Sequence, residues 1–82
     1  MIGWAPLIEA AEVVVGIYAP PDTKITQIKE KFGYMRIYTD RSTPELNAAL
    51  IALEEASTRI CIHCGRPSKI REIKGWYTNR CC

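Results

Sequence analysis

The sequence has little of what a catalytic site needs. It contains a single histidine, His63, and no Ser-His-Asp combination suited to nucleophilic catalysis. Its five glycines form no phosphate-binding loop, since Gly33 and Gly65 are isolated from other glycines. These absences predict a protein that is not an enzyme.

We expect neither a signal peptide nor a membrane-spanning run in the N-terminal segment. No basic residue precedes the apolar part of the N-terminal segment, and Glu9 and Glu12 interrupt that part. Internal repeats, low-complexity tracts and long linkers are absent as well. We therefore expect a cytoplasmic protein with reduced thiols. We also expect a single domain over residues 1–82, in which an α/β body (residues 1–60) continues into a tail (residues 61–82).

The chain is also too short to bury a large hydrophobic core. A protein of 82 residues buries only about 60% of the surface that its unfolded chain exposes, so we expect disulfide bonds or a bound metal ion to stabilise it further. All four cysteines lie in the tail. Two disulfides are one option, but the neighbours Cys81 and Cys82 cannot bridge each other without strain. Cytoplasmic thiols stay reduced, which favours a metal ion.

The cysteine spacing is that of a zinc ribbon, in which two turns present thiolates to one Zn²⁺. The segment CIHC places two residues between Cys61 and Cys64, and Gly65 permits the left-handed backbone that directs amide N–H groups at sulfur. Sixteen residues separate Cys64 from Cys81, within the range of such sites. We predict one Zn²⁺ bound by Cys61, Cys64 and Cys81.

The fourth ligand has three candidates. Cys82 is favoured, although it follows Cys81 directly and has to turn back on the ion. A water or a partner residue is the second candidate. The third is His63, which would close a strained short ring between the first two ligands. Ligand sets rich in thiolate are usually structural, so we expect the zinc to hold the fold in place.

The formal net charge of +2 divides unevenly along the chain. Residues 1–60 hold six Lys and Arg against eight Asp and Glu, whereas residues 61–82 hold five against one. Four thiolates and one Zn²⁺ would lower the charge of the tail to about +2 and that of the protein to about zero. A modest basic patch remains beside two aromatic residues. The candidate partner-binding residues are Arg66, Lys69, Arg71, Lys74, Trp76, Tyr77 and Arg80.

Hydrophobic periodicity predicts an α+β fold, ordered as helix, β-hairpin, helix and C-terminal zinc-ribbon hairpin. Apolar residues at spacings of three and four predict the first helix over residues 5–15, with Gly16 as its stop. Two stretches of alternating character follow and predict antiparallel strands joined around Phe32, Gly33 and Tyr34.

The second helix is expected over residues 43–58. Ser42 and Glu45 have the spacing of a capping box at its start. In the tail, SKIREI and WYTNR are expected to form strands joined by a Lys74-Gly75 turn. The predicted core comprises Trp4, Leu7, Ile8, Ile28, Phe32, Ile37, Leu46, Leu50 and Leu53.

The polar side of the first hairpin allows two interpretations. Lys29, Lys31, Arg36 and Tyr38 either contact phosphate or an acidic partner, or form the solvated side of an amphipathic hairpin. We favour the structural interpretation. Trp76 and its neighbour Tyr77 present a similar choice, because one of them must face outward from a ribbon strand.

Several stretches together resemble a family of small uncharacterised proteins of bacteriophages, prophages and bacteria. They are GW with PLI near the N-terminus, QIKEKFG with RIY, then RICIHCGRP, and finally GW before RC. Members carry a VKEKFGGLRFY-like hairpin, a CEVCG-like turn and a GW…C return. The sequence departs from this pattern at Tyr34, which replaces a glycine. It departs again at the second cysteine turn, where family members continue past the cysteine to a further Cys or His. This sequence stops at Cys82, as expected of a truncated member.

Two functions follow as expectations. The first is a non-enzymatic protein-binding module that inhibits or modulates a host complex, such as a defence complex, in the host cytoplasm. The near-zero charge with metal bound and the compact single-domain layout favour it, and the resemblance implies only that it is phage-encoded. The alternative is a nucleic-acid-binding zinc ribbon that uses the basic tail residues for phosphate and an aromatic ring for stacking. No membrane contact and no small-molecule substrate are expected.

Overall fold

The computed structural model describes residues 2–80 and has the α+β element order that the sequence predicts. Both sheets are two-stranded, antiparallel hairpins. Within residues 2–80, both helices fall short of the length and apolar character that crossing a bilayer requires. In chain order the elements are a 3-10 turn (Ile2–Trp4), α1 (Ala5–Tyr18), β1 (Ile25–Lys31), β2 (Tyr34–Thr39), α2 (Pro44–Ser57), β3 (Arg71–Ile73) and β4 (Trp76–Thr78).

Helix α1 is longer than the predicted span of residues 5–15, because Gly16 does not end it. Gly16 lies inside the helix, and no neighbouring atom lies close to the position that an added side chain would take. The helix ends at Tyr18. Its C-cap, Ala19, has an extended backbone at ψ 157°, and the Ala19 N–H donates to the Val15 carbonyl at 3.1 Å. A residue before proline avoids the helical region. Pro20 is therefore the physical stop.

The first hairpin turns at Phe32 and Gly33. Both residues have positive φ, 54° and 88°, as the type I′ turns that suit hairpin twist require. In β2 the predicted alternation is confirmed, since Met35 and Ile37 are buried and the residues between and beside them are only partly buried. The prediction that Phe32 belongs to the core is wrong. As a turn residue it leaves the strand alternation, and 58% of its surface is exposed.

Helix α2 begins with a different cap from the predicted one. Thr43 is the N-cap, and its Oγ1 accepts a hydrogen bond from the N–H of Leu46 at 3.0 Å. The prediction of a capping box at Ser42 is therefore wrong by one residue. The predicted core residues Leu46 and Leu50 are buried, and so is Ser57, the last residue of the helix.

The core lies between the two helices and the helix-facing side of the first hairpin. Four of its predicted members are buried, namely Trp4, Ile37, Leu46 and Leu50. Four more are partly buried and pack against them, namely Leu7, Ile8, Ile28 and Leu53. Met35 and Ala11 complete the buried cluster. Apart from Phe32, every predicted member belongs to the observed core.

Backbone contacts join the tail to the body of the protein. The N–H of Gly3 donates to the Ile62 carbonyl at 2.9 Å, and Trp4 Nε1 donates to the Ile60 carbonyl at 2.9 Å. On the other side, the buried Asn79 donates from Nδ2 to the carbonyl of the last residue of α2 at 2.7 Å. These bonds fix the second hairpin beside the N-terminus and α2.

Candidate functional site

Cys61 and Cys64 lie on a tight turn between α2 and the second hairpin, and we call residues 61–65 the cysteine turn. The N–H of Gly65 donates to the Cys61 carbonyl at 3.0 Å, and Gly65 has φ 79°. The N–H of His63 donates to Cys61 Sγ at 3.4 Å. An amide directed at sulfur favours thiolate, the form that binds metal. The predicted left-handed glycine and the N–H directed at sulfur are both present.

The two thiols of the cysteine turn differ in exposure. Cys61 is fully buried, whereas Cys64 and the side chain of His63 are exposed. No disulfide joins Cys61 to Cys64. Within residues 2–80, no group of three or more His, Cys, Asp or Glu side chains is placed to hold a metal ion. Cys81 and Cys82, the predicted third and fourth ligands, lie outside the described residues, so the zinc site stays a prediction.

The N-terminus packs directly on the cysteine turn at Gly3, a contact that sequence reasoning missed. A Cβ atom at Gly3 would lie 2.0 Å from the Cys61 carbonyl oxygen and 2.5 Å from the Gly65 nitrogen. Both are backbone atoms that a rotamer change cannot move. The sequence signal for this contact is slight, since it consists only of a glycine directly before a tryptophan at a helix start.

The second hairpin has one strongly exposed apolar side. Trp76 is 78% exposed and lies directly opposite Ile73, which is 53% exposed. Tyr77 points to the other side, where its ring meets Phe32 edge-on with the centroids 5.9 Å apart. The expectation that one of the two aromatic residues faces outward is confirmed, and it is Trp76. Trp76, Tyr77 and Phe32 nevertheless line one groove of about 290 Å³ at the end of the hairpin. We call these three residues and Ile73 the aromatic patch.

The basic residues of the tail are all exposed, as their proposed role requires. Three of them, Lys69, Arg71 and Arg80, line one groove of about 400 Å³. The Arg71 guanidinium donates to the Arg80 carbonyl, which links the two sides of this groove. Arg66 follows the cysteine turn, and Lys74 occupies the predicted β-turn with φ 52°. The structure thus gathers three of the five cations and leaves two apart.

The solvent-facing side of the first hairpin holds cations over tyrosine rings. Lys29 Nζ lies 5.4 Å from the Tyr38 ring centroid, and the Arg36 guanidinium lies 5.8 Å and 5.7 Å from the centroids of Tyr34 and Tyr38. Arg36 also donates to the Tyr34 hydroxyl at 3.0 Å, which raises the pKa of Arg36 above its ordinary value. Its Nε lies 3.9 Å from Glu54. These mutual contacts support the structural interpretation for Arg36 and Tyr38, whereas the two lysines of β1 are exposed.

Asn79 is a second structural residue that sequence reasoning did not single out. It is 2% exposed, its carbonyl accepts the N–H of Ile62 at 3.1 Å, and its side chain reaches α2. In the described part of the chain, its Oδ1 is the one buried side-chain polar atom without a hydrogen-bond partner. An asparagine in a short strand-like segment carries no pattern that would predict burial, so only the structure identifies this anchor.

Comparisons with known proteins add no relative. A scan against protein-family models, a search of curated proteins and a search of solved structures found no match to this chain. The family resemblance inferred from the sequence motifs therefore stays a prediction.

Proposed function

We propose that the protein is a non-enzymatic zinc-ribbon module that binds another protein, with the aromatic patch as its contact surface. In line with the motif resemblance, the proposed partner is a protein complex of the host cell, which the module inhibits or modulates. Zinc bound by Cys61, Cys64, Cys81 and Cys82 would hold the ribbon rigid and would take no part in chemistry.

The zinc part of the proposal is supported by the form of the cysteine turn. A turn that buries one sulfur, exposes another and directs an amide N–H at sulfur is suited to thiolate ligands. Cys64 and Cys81 are separated by sixteen residues, which include a tight hairpin. Such a hairpin is the usual connection between the two turns of a ribbon.

The observation that carries the binding function is the exposure of Trp76 beside three other exposed apolar side chains. A small monomer seldom leaves a tryptophan 78% exposed next to an isoleucine and two further aromatic rings, each about half exposed or more. Aromatic residues are enriched at the centres of protein interfaces, and tryptophan is the commonest energetic anchor there. The patch lies beside basic residues, which suits the polar rim of an interface.

Affinity capture from a lysate of a host cell, using tagged protein with its metal bound, tests this function. The Trp76→Ala variant should lose the captured partner, with the affinity falling by about 2 kcal/mol or more. Ile17→Ala is the matched control, because Ile17 is also an exposed apolar residue, 65% exposed, but lies on α1. Equal capture by the wild type and by Trp76→Ala would overturn the proposal.

Nucleic-acid binding is kept as a second candidate because of one observation. The groove that Lys69, Arg71 and Arg80 line lies on the same hairpin as the exposed Trp76, and Arg71 and Trp76 point to the same side. Phosphate contacts beside a stacking ring are the usual means of binding single strands. If single-stranded DNA or RNA binds here, the affinity should fall steeply between low and moderate salt, whereas the affinity of a packed protein interface should change little.

A further inference from the structure

Strand β1 has an open hydrogen-bonding edge. The N–H groups of Met35 and Ile37 in β2 point away from β1, because they donate to side chains of α2. Their cross-strand partners are Glu30 and Ile28. In an antiparallel pair, residues opposite each other point their N–H and C=O groups either toward each other or both away. Ile28 and Glu30 therefore present their backbone groups to the outside of the hairpin.

The two edges of this hairpin differ in whether their outward backbone groups are hydrogen-bonded. The edge of β2 is closed, since Ser57 Oγ accepts the N–H of Met35 at 2.8 Å and Glu54 Oε2 accepts that of Ile37 at 2.9 Å. Within residues 2–80 no group pairs with the backbone of Ile28 or with the N–H of Glu30 on the other edge. An uncovered edge of this kind is a template for one more strand.

Grooves border the open edge on its helix-facing side. One, of about 530 Å³, lies between α1 and β1 and has Val15, Ile25 and Ile28 among its lining residues. Another, of about 250 Å³, lies between Glu30 and strand β4, including Trp76. Ile28 and Glu30 are opposite the buried Ile37 and Met35, so their side chains share the helix-facing side. An added strand would place alternate side chains in these two grooves.

The other side of the same edge is basic. Gln27, Lys29 and Lys31 point to the solvent-facing side, opposite Tyr38, Arg36 and Tyr34, so that this side of the two strands carries three cations and no carboxylate of its own. Of these three cations, Arg36 is the one within ion-pair distance of Glu54 on α2, at 3.9 Å. A strand added to β1 would therefore set every second side chain beside Lys29 and Lys31, where acidic residues are favoured.

We infer that β1 is the docking edge for an extended, acidic segment of the protein partner, which adds antiparallel to the hairpin as a third strand. Its alternate apolar side chains occupy the two grooves, its acidic side chains face Lys29 and Lys31, and one end reaches Trp76. This inference rests on the proposed protein-binding function and names how the partner binds. Pairing of β1 with a second copy is disfavoured, because β1 of another copy would bring its own lysines to the same side.

The free protein provides the first test, by amide hydrogen exchange measured with NMR. The amides of Met35 and Ile37 should be protected, whereas those of Ile28 and Glu30 should exchange at least about tenfold faster, because their N–H groups lack acceptors. Equal protection of all four amides would show that the edge is already covered and would overturn the inference.

The second test adds an eight-residue peptide with uncharged, capped termini in which Val and Glu alternate. A peptide in which Val and Lys alternate is its control. The acidic peptide should protect the Ile28 amide, and the basic peptide should not. Glu30→Pro removes the outward N–H and should weaken peptide binding by about tenfold or more. Glu30→Gln keeps the amide and should leave binding nearly unchanged. Circular dichroism of both variants checks that the fold is kept.

The results separate this inference from the proposed function. Absence of protection by the acidic peptide, equal protection by both peptides, or a dimer that Glu30→Pro makes monomeric would each overturn the strand addition. In affinity capture, loss of the partner in both Trp76→Ala and Glu30→Pro supports it. If Trp76→Ala loses the partner while Glu30→Pro retains it, the binding function stands and the edge is not the docking site. If both variants retain the partner, the proposed function fails.

Discussion

Gly3 is the residue at which the N-terminus meets the cysteine turn. Its backbone is bonded to Ile62, and its missing side chain leaves room for the Cys61 carbonyl and the Gly65 nitrogen. Next to it, the buried Trp4 bonds to the Ile60 carbonyl. Two consecutive residues therefore hold the start of the tail against the N-terminus. Any side chain at position 3 has to displace backbone, which is the costliest kind of accommodation.

The Gly3→Ala variant should lower the free energy of unfolding by about 1–3 kcal/mol or more, because its methyl group overlaps the cysteine turn. Gly16→Ala is the matched control. No atom lies close to that position within helix α1, so the change should raise stability by about 0.5–1 kcal/mol. Urea denaturation of the two variants measures both effects, and equal stabilities would contradict the close contact at Gly3.

At the scale of elements, the two helices and two hairpins differ in how much the sequence reveals. Apolar periodicity locates all of them because each buries one side, and a buried side needs its apolar residues at the period of the element. Their ends depend on single backbone contacts. The sequence predicts that Gly16 ends α1, but a glycine inside a helix lowers its stability without stopping it, whereas Pro20 excludes the helical conformation of Ala19.

The candidate site was less predictable than the elements, because it depends on contacts between distant segments. The spacing of Cys61 and Cys64 predicts their turn, since that contact is local. Nothing local indicates that Gly3 packs on this turn or that Asn79 is buried against α2. The alternation of β1, extended by one residue into the turn, predicts Phe32 in the core. Its positive φ removes it from that alternation.

The Leu50→Ala variant tests the packing of α2. Leu50 is 6% exposed in the core cluster, so its truncation should lower the free energy of unfolding by about 2–5 kcal/mol, which a small domain tolerates poorly. The neighbouring Ile51 is 55% exposed, and Ile51→Ala should change stability by no more than about 0.5 kcal/mol. Thermal denaturation, monitored by circular dichroism, compares the two variants. Similar melting temperatures for both variants would place the buried side of α2 elsewhere.

At the scale of the whole molecule, body and tail are bonded to each other but draw on different sources of stability. The helices and the first hairpin share a core whose buried members all precede residue 51. The described part of the second hairpin lacks such a core, since Ile73, Trp76 and Tyr77 are exposed. Small units without a core depend on a metal or on disulfides. The proposed zinc would therefore stabilise mainly the tail.

Chelation should consequently melt the tail and leave most of the helical circular dichroism signal in place, although the loss of the Gly3 and Asn79 contacts should lower the melting temperature. Capture of the partner should be lost with the ribbon, since Trp76 lies on β4. Restoring Zn²⁺ should recover both properties. Complete loss of helical signal would show that the body cannot fold alone, and unchanged capture would move the binding surface off the second hairpin.

Native mass spectrometry of the purified protein tests the central claim, a zinc-held ribbon, most directly. The account predicts one Zn²⁺ per chain, with loss of the metal in Cys61→Ser, Cys64→Ser and Cys81→Ser, and with weakened metal retention in Cys82→Ser. Replacement of the exposed His63 by Ala should leave the stoichiometry at one, because its contribution to the turn is its backbone N–H. A chain that carries no metal, or whose mass is lower by the two hydrogens of a Cys61–Cys64 disulfide, would contradict the account.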